Sequence, residues 1–290
     1  MKLFERSNPV PVFLYFTAVS VLCAVLNSPF YTAVSLLSSF AIFVIIRGKV
    51  RAFLLFFALT AFPAVLNPLI SKKGDTPLIF IGNSPVTLES TLYGINSAFV
   101  LLSILLFFYS FSRLITSQKL LYLMSPLSGA AALTVSMALR FAPMYARQAK
   151  LISDQQKALG ESGDGTIPEK TRSFLRIFSA LSTWALENGV VISDSMAARG
   201  YGVCRRKFYT FFKFRYEDVI MTALIAALTA AVTVSLIGGG CTASFYPVFT
   251  PPQNGAALVL CRVSFTLLAV LPVAAELFDR LKWKYLISKI

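Results

Sequence analysis

Residues 9–46 form an apolar run that contains no lysine, arginine, aspartate or glutamate. As one helix rising about 1.5 Å per residue, the run would be about 57 Å long, nearly twice the bilayer hydrocarbon thickness of about 30 Å. It therefore has to fold back on itself, and Asn27, Ser28 and Pro29 supply a turn. Because 56% of the chain is hydrophobic and 14% is charged, against about a quarter in soluble domains, the sequence predicts an integral membrane protein.

The remaining apolar segments also have the length of membrane spans. Together with the two halves of the first run they predict six spans, which cover residues 9–26, 28–46, 52–70, 92–111, 219–238 and 256–278. Pro63 is an expected kink in the third span. Residues 71–91 have the composition of turns or a short hairpin and not of a span. The predicted fold class is an all-α polytopic membrane protein of about six transmembrane helices, with long amphipathic helices in its largest polar segment.

Lysine and arginine are distributed unequally between the two sides that six spans define. The N-terminus and residues 47–51, 113–215 and 280–289 are basic and fall on one side, whereas the other side has Lys72 and Lys73. Because cytoplasmic loops carry the excess of positive charge, both termini and the long polar segment are predicted to be cytoplasmic. The net charge of +14 then reflects topology and contact with the lipid bilayer, and nucleic acid is not an expected partner.

Three segments follow from this topology. Residues 1–112 hold the N-terminal transmembrane helices, about four spans; residues 113–216 form a cytoplasmic domain; residues 217–290 form a C-terminal transmembrane hairpin. No small-residue cleavage site follows the weakly basic N-terminus, so the first apolar run is expected to be retained as a span.

The composition leaves few groups for catalysis or metal binding. The chain has no histidine, and its four cysteines, Cys23, Cys204, Cys241 and Cys261, lack the paired spacing of metal ligands. The thiols are interpreted as small hydrophobic side chains. A phosphate-binding loop of the Gly-x-x-x-x-Gly-Lys-[Ser/Thr] type does not occur in the sequence. No catalytic residue, resident metal or cofactor of this chain is therefore expected.

A nine-residue phrase occurs twice in the long polar segment. Residues 152–160 read Ile-Ser-Asp-Gln-Gln-Lys-Ala-Leu-Gly and residues 192–200 read Ile-Ser-Asp-Ser-Met-Ala-Ala-Arg-Gly, so that five of the nine positions match. One interpretation is that the two copies are similar binding elements for two similar partners. Chance, or the chemistry that two helix ends share, is the other.

Each copy lies at the end of a predicted amphipathic helix. The first helix has an apolar face, formed by Met137, Phe141, Met144, Tyr145, Leu151 and Ile152, and an opposite polar face, formed by Arg140, Arg147, Lys150, Asp154 and Lys157. Thr166 and Glu169 predict a capping box at the start of the second helix. Its stripe comprises Phe174, Phe178, Leu181, Ala185, Ile192 and Met196. Spacing alone leaves open whether these faces contact each other, lipid or a partner.

Arg199 follows two alanines and precedes a glycine, so its guanidinium projects from a helix end made of small residues. Such a group suits a carboxylate or backbone carbonyls in a protein groove, because its planar fork donates paired hydrogen bonds. Equally, a cation at a helix C-terminus is favoured by the helix dipole by about 0.3–1 kcal/mol without any partner.

With these motifs in order, the chain resembles the transmembrane T component of energy-coupling factor (ECF) transporters, the EcfT/CbiQ family. The family mark is a pair of Ala-Arg-Gly motifs at the ends of cytoplasmic coupling helices, and the second is intact as Ala198-Arg199-Gly200. The first departs from it, since Ala158-Leu159-Gly160 has leucine in place of arginine. The resemblance extends over residues 67–201 and includes three further segments, residues 85–89, residues 120–126 and residues 136–143.

The resemblance implies a non-catalytic scaffold in the prokaryotic cell membrane. Its coupling helices would dock into two ABC ATPase subunits of the EcfA-like kind, which bind ATP and Mg, while its membrane face would hold a substrate-binding S component for vitamin or metal-ion uptake. The implied ATPase-coupling residues are Ala198, Arg199, Gly200, Asp194, Ala158, Leu159, Gly160, Asp154 and Lys157. Arg140, Pro143 and Arg147 would support the structure of the coupling helices. Leu159 predicts asymmetric docking, with the ionic contact at Arg199 and packing at Leu159, helped by Lys157.

Two other classes of function remain as alternatives. A secondary transporter or channel acting without ATPases should have ionisable residues at membrane depth, and Arg262 is the candidate. It either reaches toward the outer interface or pairs with another subunit. A lipid-modifying membrane enzyme should have clustered acids, and Asp154 and Asp194 are single acids on separate helices.

Overall fold

The computed structural model describes residues 8–70, 76–81, 84–124, 129–160, 165–203, 215–238, 241–246 and 255–287, together with residues 250 and 252. These residues belong to two compact units. One unit comprises Met1–Leu120 together with Phe212–Ile290, and the other comprises Leu121–Phe211. The first is called the membrane unit below and the second the helical-pair unit.

Nine helices and one two-stranded hairpin make up the described part of the chain. In order they are α1 Pro9–Val25, α2 Pro29–Ile45, α3 Val50–Ile70, β1 Pro77–Ile81, β2 Ser84–Thr87, α4 Leu88–Leu114, α5 Ser117–Met124, α6 Gly129–Ala158, α7 Ile167–Ala198, α8 Tyr216–Ile237 and α9 Ala256–Ile287.

Four helices of the described residues are long and apolar enough to cross a membrane, namely α3, α4, α8 and residues 256–278 of α9. Helices α1 and α2 are apolar and have 17 residues each. The fold class is therefore confirmed at the level of a helical, multi-pass membrane protein, whereas six crossings remain a prediction. The predicted turn in the first apolar run is confirmed, because α1 ends at Val25 and α2 begins at Pro29.

The segment between the third and fourth predicted spans forms the short hairpin that its composition allowed. Strands β1 and β2 are antiparallel, with Ile81 opposite Ser84 and Pro77 opposite Thr87. Thr87 ends the hairpin and caps α4, since its hydroxyl accepts a hydrogen bond of 3.3 Å from the Ser90 N–H. Among the described residues, β1 and β2 are the two strands of a chain that is otherwise mostly helical.

Hydroxyl groups connect three helices inside the membrane unit. Tyr15 of α1 and Ser38 of α2 both donate to the backbone carbonyl of Ala269 in α9, at 3.3 and 2.6 Å. Pro272 lies inside α9 three residues further on, and a proline ring disturbs the hydrogen bonds of the preceding helical turn. Because lipid offers no hydrogen bonds, the two hydroxyl groups have to find their acceptors within the protein, and the Ala269 carbonyl supplies one to both.

The buried Asp218 connects the starts of two helices of the membrane unit. Its carboxylate accepts from the backbone N–H of Arg215, at 3.1 Å, at the start of α8. The other carboxylate oxygen accepts from the backbone N–H of Asn8, at 3.3 Å, directly before α1. An acid in the first turn of a helix also interacts favourably with the helix dipole. Asp218 was not among the residues selected from the sequence. The signal that could have found it is an acidic residue directly after a basic segment and directly before a predicted span.

Arg262 contacts an aromatic ring of its own chain. The guanidinium carbon of Arg262 lies 5.0 Å from the centroid of the Phe30 ring, at the start of α2. At this distance a cation is attracted by the face of the ring. The sequence had suggested either an approach to the interface or a pairing with another subunit. The structure adds a contact within the chain that neither alternative included.

Candidate functional site: two matching helix ends

The helical-pair unit consists of α6 and α7, which pack against each other. Tyr145 of α6 meets Trp184 of α7 edge to face, with 5.8 Å between ring centroids. The predicted apolar face of α6 is half-buried at Met137, Phe141, Met144, Tyr145 and Ile152, and its predicted polar face is exposed at Arg140, Arg147, Lys150, Asp154 and Lys157. The amphipathic pattern is thus confirmed, and packing of one helix on the other accounts for much of it.

Three predicted members of the apolar faces do not share that packing. Leu151 is 55% exposed, Phe174 65% and Phe178 57%. Phe174 and Phe178 stack on each other, with 6.3 Å between ring centroids, as side chains one turn apart on a helix can do. Leu181, Ala185, Ile192 and Met196 are half-buried, so the packed part of the α7 stripe begins after Phe178. Of the three surroundings that spacing left open for these faces, packing of one helix on the other therefore does not account for these three residues.

The start of α7 has the predicted capping arrangement. Its Pro168 lies in the first turn, where the missing N–H of proline costs no helical hydrogen bond. The Glu169 carboxylate accepts from the backbone N–H of Thr166 at 3.1 Å, which satisfies one of the donors that a helix start leaves without partner.

The ends of α6 and α7 have the same backbone geometry. After Ala158 and after Ala198 one further residue precedes a glycine in the left-handed region, with φ of +82° at Gly160 and +83° at Gly200. The Gly160 N–H donates to the Lys157 carbonyl at 3.0 Å, and the Gly200 N–H donates to the Ala197 carbonyl at 2.9 Å.

At the second end, the Tyr201 N–H also donates to the Met196 carbonyl, at 3.0 Å. This completes a Schellman motif, in which two crossed hydrogen bonds satisfy the last carbonyls of the helix. The interpretation of the repeat as shared helix-ending chemistry is therefore supported for the glycines. It leaves the choice of leucine or arginine in front of each glycine unexplained, because a helix end does not need either.

Both glycines are required by backbone conformation and not by space. A Cβ added at Gly160 or at Gly200 would meet no atom within 4 Å. We expect Gly200→Ala and Gly160→Ala each to lower the free energy of unfolding by about 1–2 kcal/mol, the cost of holding a residue with a Cβ in the left-handed region. Thermal unfolding of the purified protein in detergent measures this, with Gly189→Ala as the control.

Gly189 likewise has open space where a Cβ would lie, but it is in the middle of α7 and has an ordinary φ. Alanine is the better helix former, so the control is expected to stabilise by about 0.5–1 kcal/mol. Equal destabilisation by all three changes would contradict the requirement for a positive φ.

The side chains of the two motifs are accessible. Leu159 is 82% exposed, and Arg199 is exposed at the equivalent position of the second end. The other proposed coupling residues are exposed as well, namely Ala158, Gly160, Asp154, Lys157, Ala198, Gly200 and Asp194. Arg140, Pro143 and Arg147 are also exposed, and α6 continues through Pro143. Exposure permits docking to a partner but does not identify one, so these roles remain predictions.

Two exposed apolar residues next to Arg199 escaped the sequence reasoning. Tyr201 is 48% exposed and Val203 is 81% exposed, and both follow closely after Gly200 in the chain. They enlarge the apolar surface around the charged tip. The sequence did contain a signal for them. Tyr201 and Val203 alternate with Gly200 and Gly202, whereas a turn that only faces solvent would have polar residues at such positions.

No group of three or more histidine, cysteine, aspartate or glutamate side chains could hold a metal ion within the part of the chain that the structure describes.

Comparison with known proteins gives one informative relative. No protein-family model matches the chain. Over 105 residues the chain is 30% identical to the energy-coupling factor transporter transmembrane protein EcfT 1 of Listeria monocytogenes serotype 1/2a (strain 08-5578). The match covers 36% of this chain and 40% of the relative, so it spans less than half of either protein. The name of this relative is that of the family whose motifs the sequence resembles.

Proposed function

We propose that this chain is the transmembrane scaffold and coupling subunit of an ECF-type ABC importer, which transmits ATP-driven movement of two ATPase subunits to a substrate-binding S component for vitamin or metal-ion uptake. The observation that carries the proposal is the pair of long helices that end in the same backbone geometry and present exposed motif residues. The partial similarity to EcfT 1 supports the same function.

The two helices are suited to transmitting movement. Helices α6 and α7 have 30 and 32 residues, which gives each a length of about 45 Å at 1.5 Å per residue. A displacement applied at one end of a continuous helix reaches the other end, because the backbone hydrogen bonds keep the rod stiff. The contact between Tyr145 and Trp184 holds the two helices to each other along the way.

The two ends would bind their ATPase subunits differently. Both place a side chain at the same position relative to the helix end, but Arg199 has five N–H donors and a charge whereas Leu159 has neither. Arg199 would donate charge-assisted hydrogen bonds to a carboxylate or to carbonyl groups of one ATPase groove. Leu159 would fill an apolar pocket in the other groove, with Lys157 and Asp154 at its rim. Asp194 precedes Arg199 by five positions, as Asp154 precedes Leu159.

The proposed location is a prokaryotic cell membrane, with six crossings and both termini in the cytoplasm. Helices α1 and α2 would each be about 25 Å long, close to the hydrocarbon thickness of about 30 Å, and small mismatches are accommodated by the bilayer. The helical-pair unit would then belong to the cytoplasmic segment predicted at residues 113–216. This chain would hydrolyse nothing itself, because ATP and Mg would be bound by the partner ATPases.

Gentle purification from membranes of the native host tests the proposal. We expect the tagged chain to bring down two ATPase copies, identical or different, and one small hydrophobic subunit in defined proportions. The recovered complex should hydrolyse ATP, whereas the chain stripped of its partners should not. A chain that purifies alone and transports a solute in liposomes without ATP would overturn the proposal in favour of a secondary transporter or channel.

A further inference from the structure

Two of the cysteines are buried in the same hydrophobic cluster of the membrane unit. Cys241 lies in the connection between α8 and α9, and Cys261 is in the second turn of α9. Cys241 is 1% exposed and Cys261 is 0% exposed, and both belong to the main hydrophobic cluster of this unit. Both thiols are reduced in the structure.

The Cys241 thiol lies next to the face of α9 that carries Cys261. Its sulfur lies 3.2 Å from the Ser235 carbonyl, near the end of α8, and 4.0 Å from the Ala257 carbonyl in the first turn of α9. Ala257 precedes Cys261 by four residues, which places both on one face of the helix. Helical side chains lean toward the N-terminus, so the Cys261 thiol covers the turn that contains Ala257. The Cys241 sulfur therefore lies at the turn of α9 that the Cys261 side chain covers.

We propose that Cys241 and Cys261 form a structural disulfide that fixes the connection between α8 and α9. The inference rests on the proposed topology, which places this connection outside the cytoplasm, where disulfides form and persist. In the reaction the two S–H bonds break and one S–S bond forms. The two hydrogen atoms with their electrons pass to the disulfide of an extracytoplasmic thiol oxidoreductase, which is reduced to a dithiol.

The connection offers a reason for such a crosslink. In the described part of residues 238–255, its local backbone pairing consists of the bridge between Ser244 and Thr250, with hydrogen bonds of 3.3 and 2.9 Å. A crosslink between residues 241 and 261 closes a loop of about 20 residues, which restricts the unfolded chain and so stabilises the folded one. It also holds Phe245 against Tyr93 of α4, where the ring centroids are 5.3 Å apart.

The other two cysteines act as internal controls. The Cys23 sulfur lies 3.3 Å from the Ser35 hydroxyl and 3.2 Å from the Ser103 hydroxyl, so its described neighbours are hydroxyl groups in the interior of the unit. Cys204 falls in the segment that the topology assigns to the cytoplasm, which keeps thiols reduced.

Thiol counting on the full chain tests the proposal. Membranes are dissolved in a denaturing detergent that contains N-ethylmaleimide, so that exposed and buried thiols are both blocked, the protein is purified, and the remaining cysteines are labelled with a polyethylene-glycol maleimide before and after reduction. We expect no labelling before reduction and two labels after it. Cys241→Ser and Cys261→Ser should each abolish both labels, whereas Cys23→Ser and Cys204→Ser should leave both. Failure to gain labels on reduction, or a gain that depends on Cys23 or Cys204, would overturn the proposal.

A second arm shows which premise has failed. If the native protein gains no labels, copper phenanthroline is added to the purified, unquenched chain. Rapid crosslinking that depends on both Cys241 and Cys261 would mean that the geometry is right and the topology wrong, whereas no crosslinking would mean that the geometry is wrong. Neither result depends on ATPase binding, so the failure of this inference and the failure of the proposed function are distinguishable.

Discussion

Replacing Arg199 with alanine is expected to weaken binding of one ATPase subunit by about 10- to 100-fold and to reduce ATP-driven uptake accordingly. A hydrogen bond to a charged group is worth about 1.5–3 kcal/mol, and the substitution removes every such bond that the guanidinium donates. Arg199→Lys should fall between the wild type and the alanine variant, because lysine keeps the charge but not the planar fork. Titration of the purified chain with the purified ATPase pair measures the affinity.

Arg172→Ala is the matched control for this substitution. Arg172 is also exposed on α7, and it precedes Arg199 by a helical distance of about 40 Å, so the variant loses the same charge far from the proposed contact. It should bind the ATPases as the wild type does. Unchanged binding and uptake in Arg199→Ala, together with a complete loss in Leu159→Ala, would show that the roles of the two helix ends have been assigned the wrong way round.

Leu159→Asp is expected to have an effect of comparable or larger size at the other end. Leu159 is 82% exposed in the isolated chain, so the substitution should hardly change the stability of the chain itself. In the complex an aspartate would be buried without a partner charge, at a cost of about 3–5 kcal/mol. We expect the affinity for the ATPases to fall at least about 100-fold, while the unfolding temperature of the free chain stays within about 1–2 °C of the wild type.

Leu186→Asp provides the same chemical change elsewhere. Leu186 is 74% exposed on α7 and lies about 18 Å along the helix from its end. ATPase affinity should not change in this variant.

Raising the salt concentration should weaken binding of the wild type through Arg199 and affect the Leu159 contact little, since apolar packing is not screened. A Leu159→Asp chain that binds the ATPases normally would exclude Leu159 from the docking surface.

Much of the fold was predictable because bilayer chemistry leaves few choices. The break at residues 26–28, the hairpin option at residues 71–91 and the start of α7 near Thr166 all followed from local rules on length, turn residues and capping. The contacts among Tyr15, Ser38 and Ala269 were not predictable, since they join residues more than 230 positions apart. The surroundings of Phe174 and Phe178 were left open for a related reason, because periodicity shows that a face is apolar and not what covers it.

The candidate site, too, was predictable from the sequence only in part. Its residues were identified by the repeat and by the family resemblance. What the structure decided is that both glycines have nearly the same positive φ, and that Leu159 and Arg199 are exposed at equivalent positions in front of them. Their roles toward ATPases stay predictions, because a partner surface is not encoded in the geometry of one chain.

By itself the sequence determined that the chain lies in a membrane, where its turns occur and which two helix ends resemble each other. These properties depend on local composition and on hydrogen bonds between near neighbours in the chain. Only the tertiary structure decided that Asp218 connects the start of α8 to Asn8, that Arg262 lies over Phe30, and that the Cys241 thiol lies at the turn of α9 before Cys261. Such contacts depend on how helices distant in sequence cross and pack, which apolar periodicity does not specify within a uniformly apolar bundle.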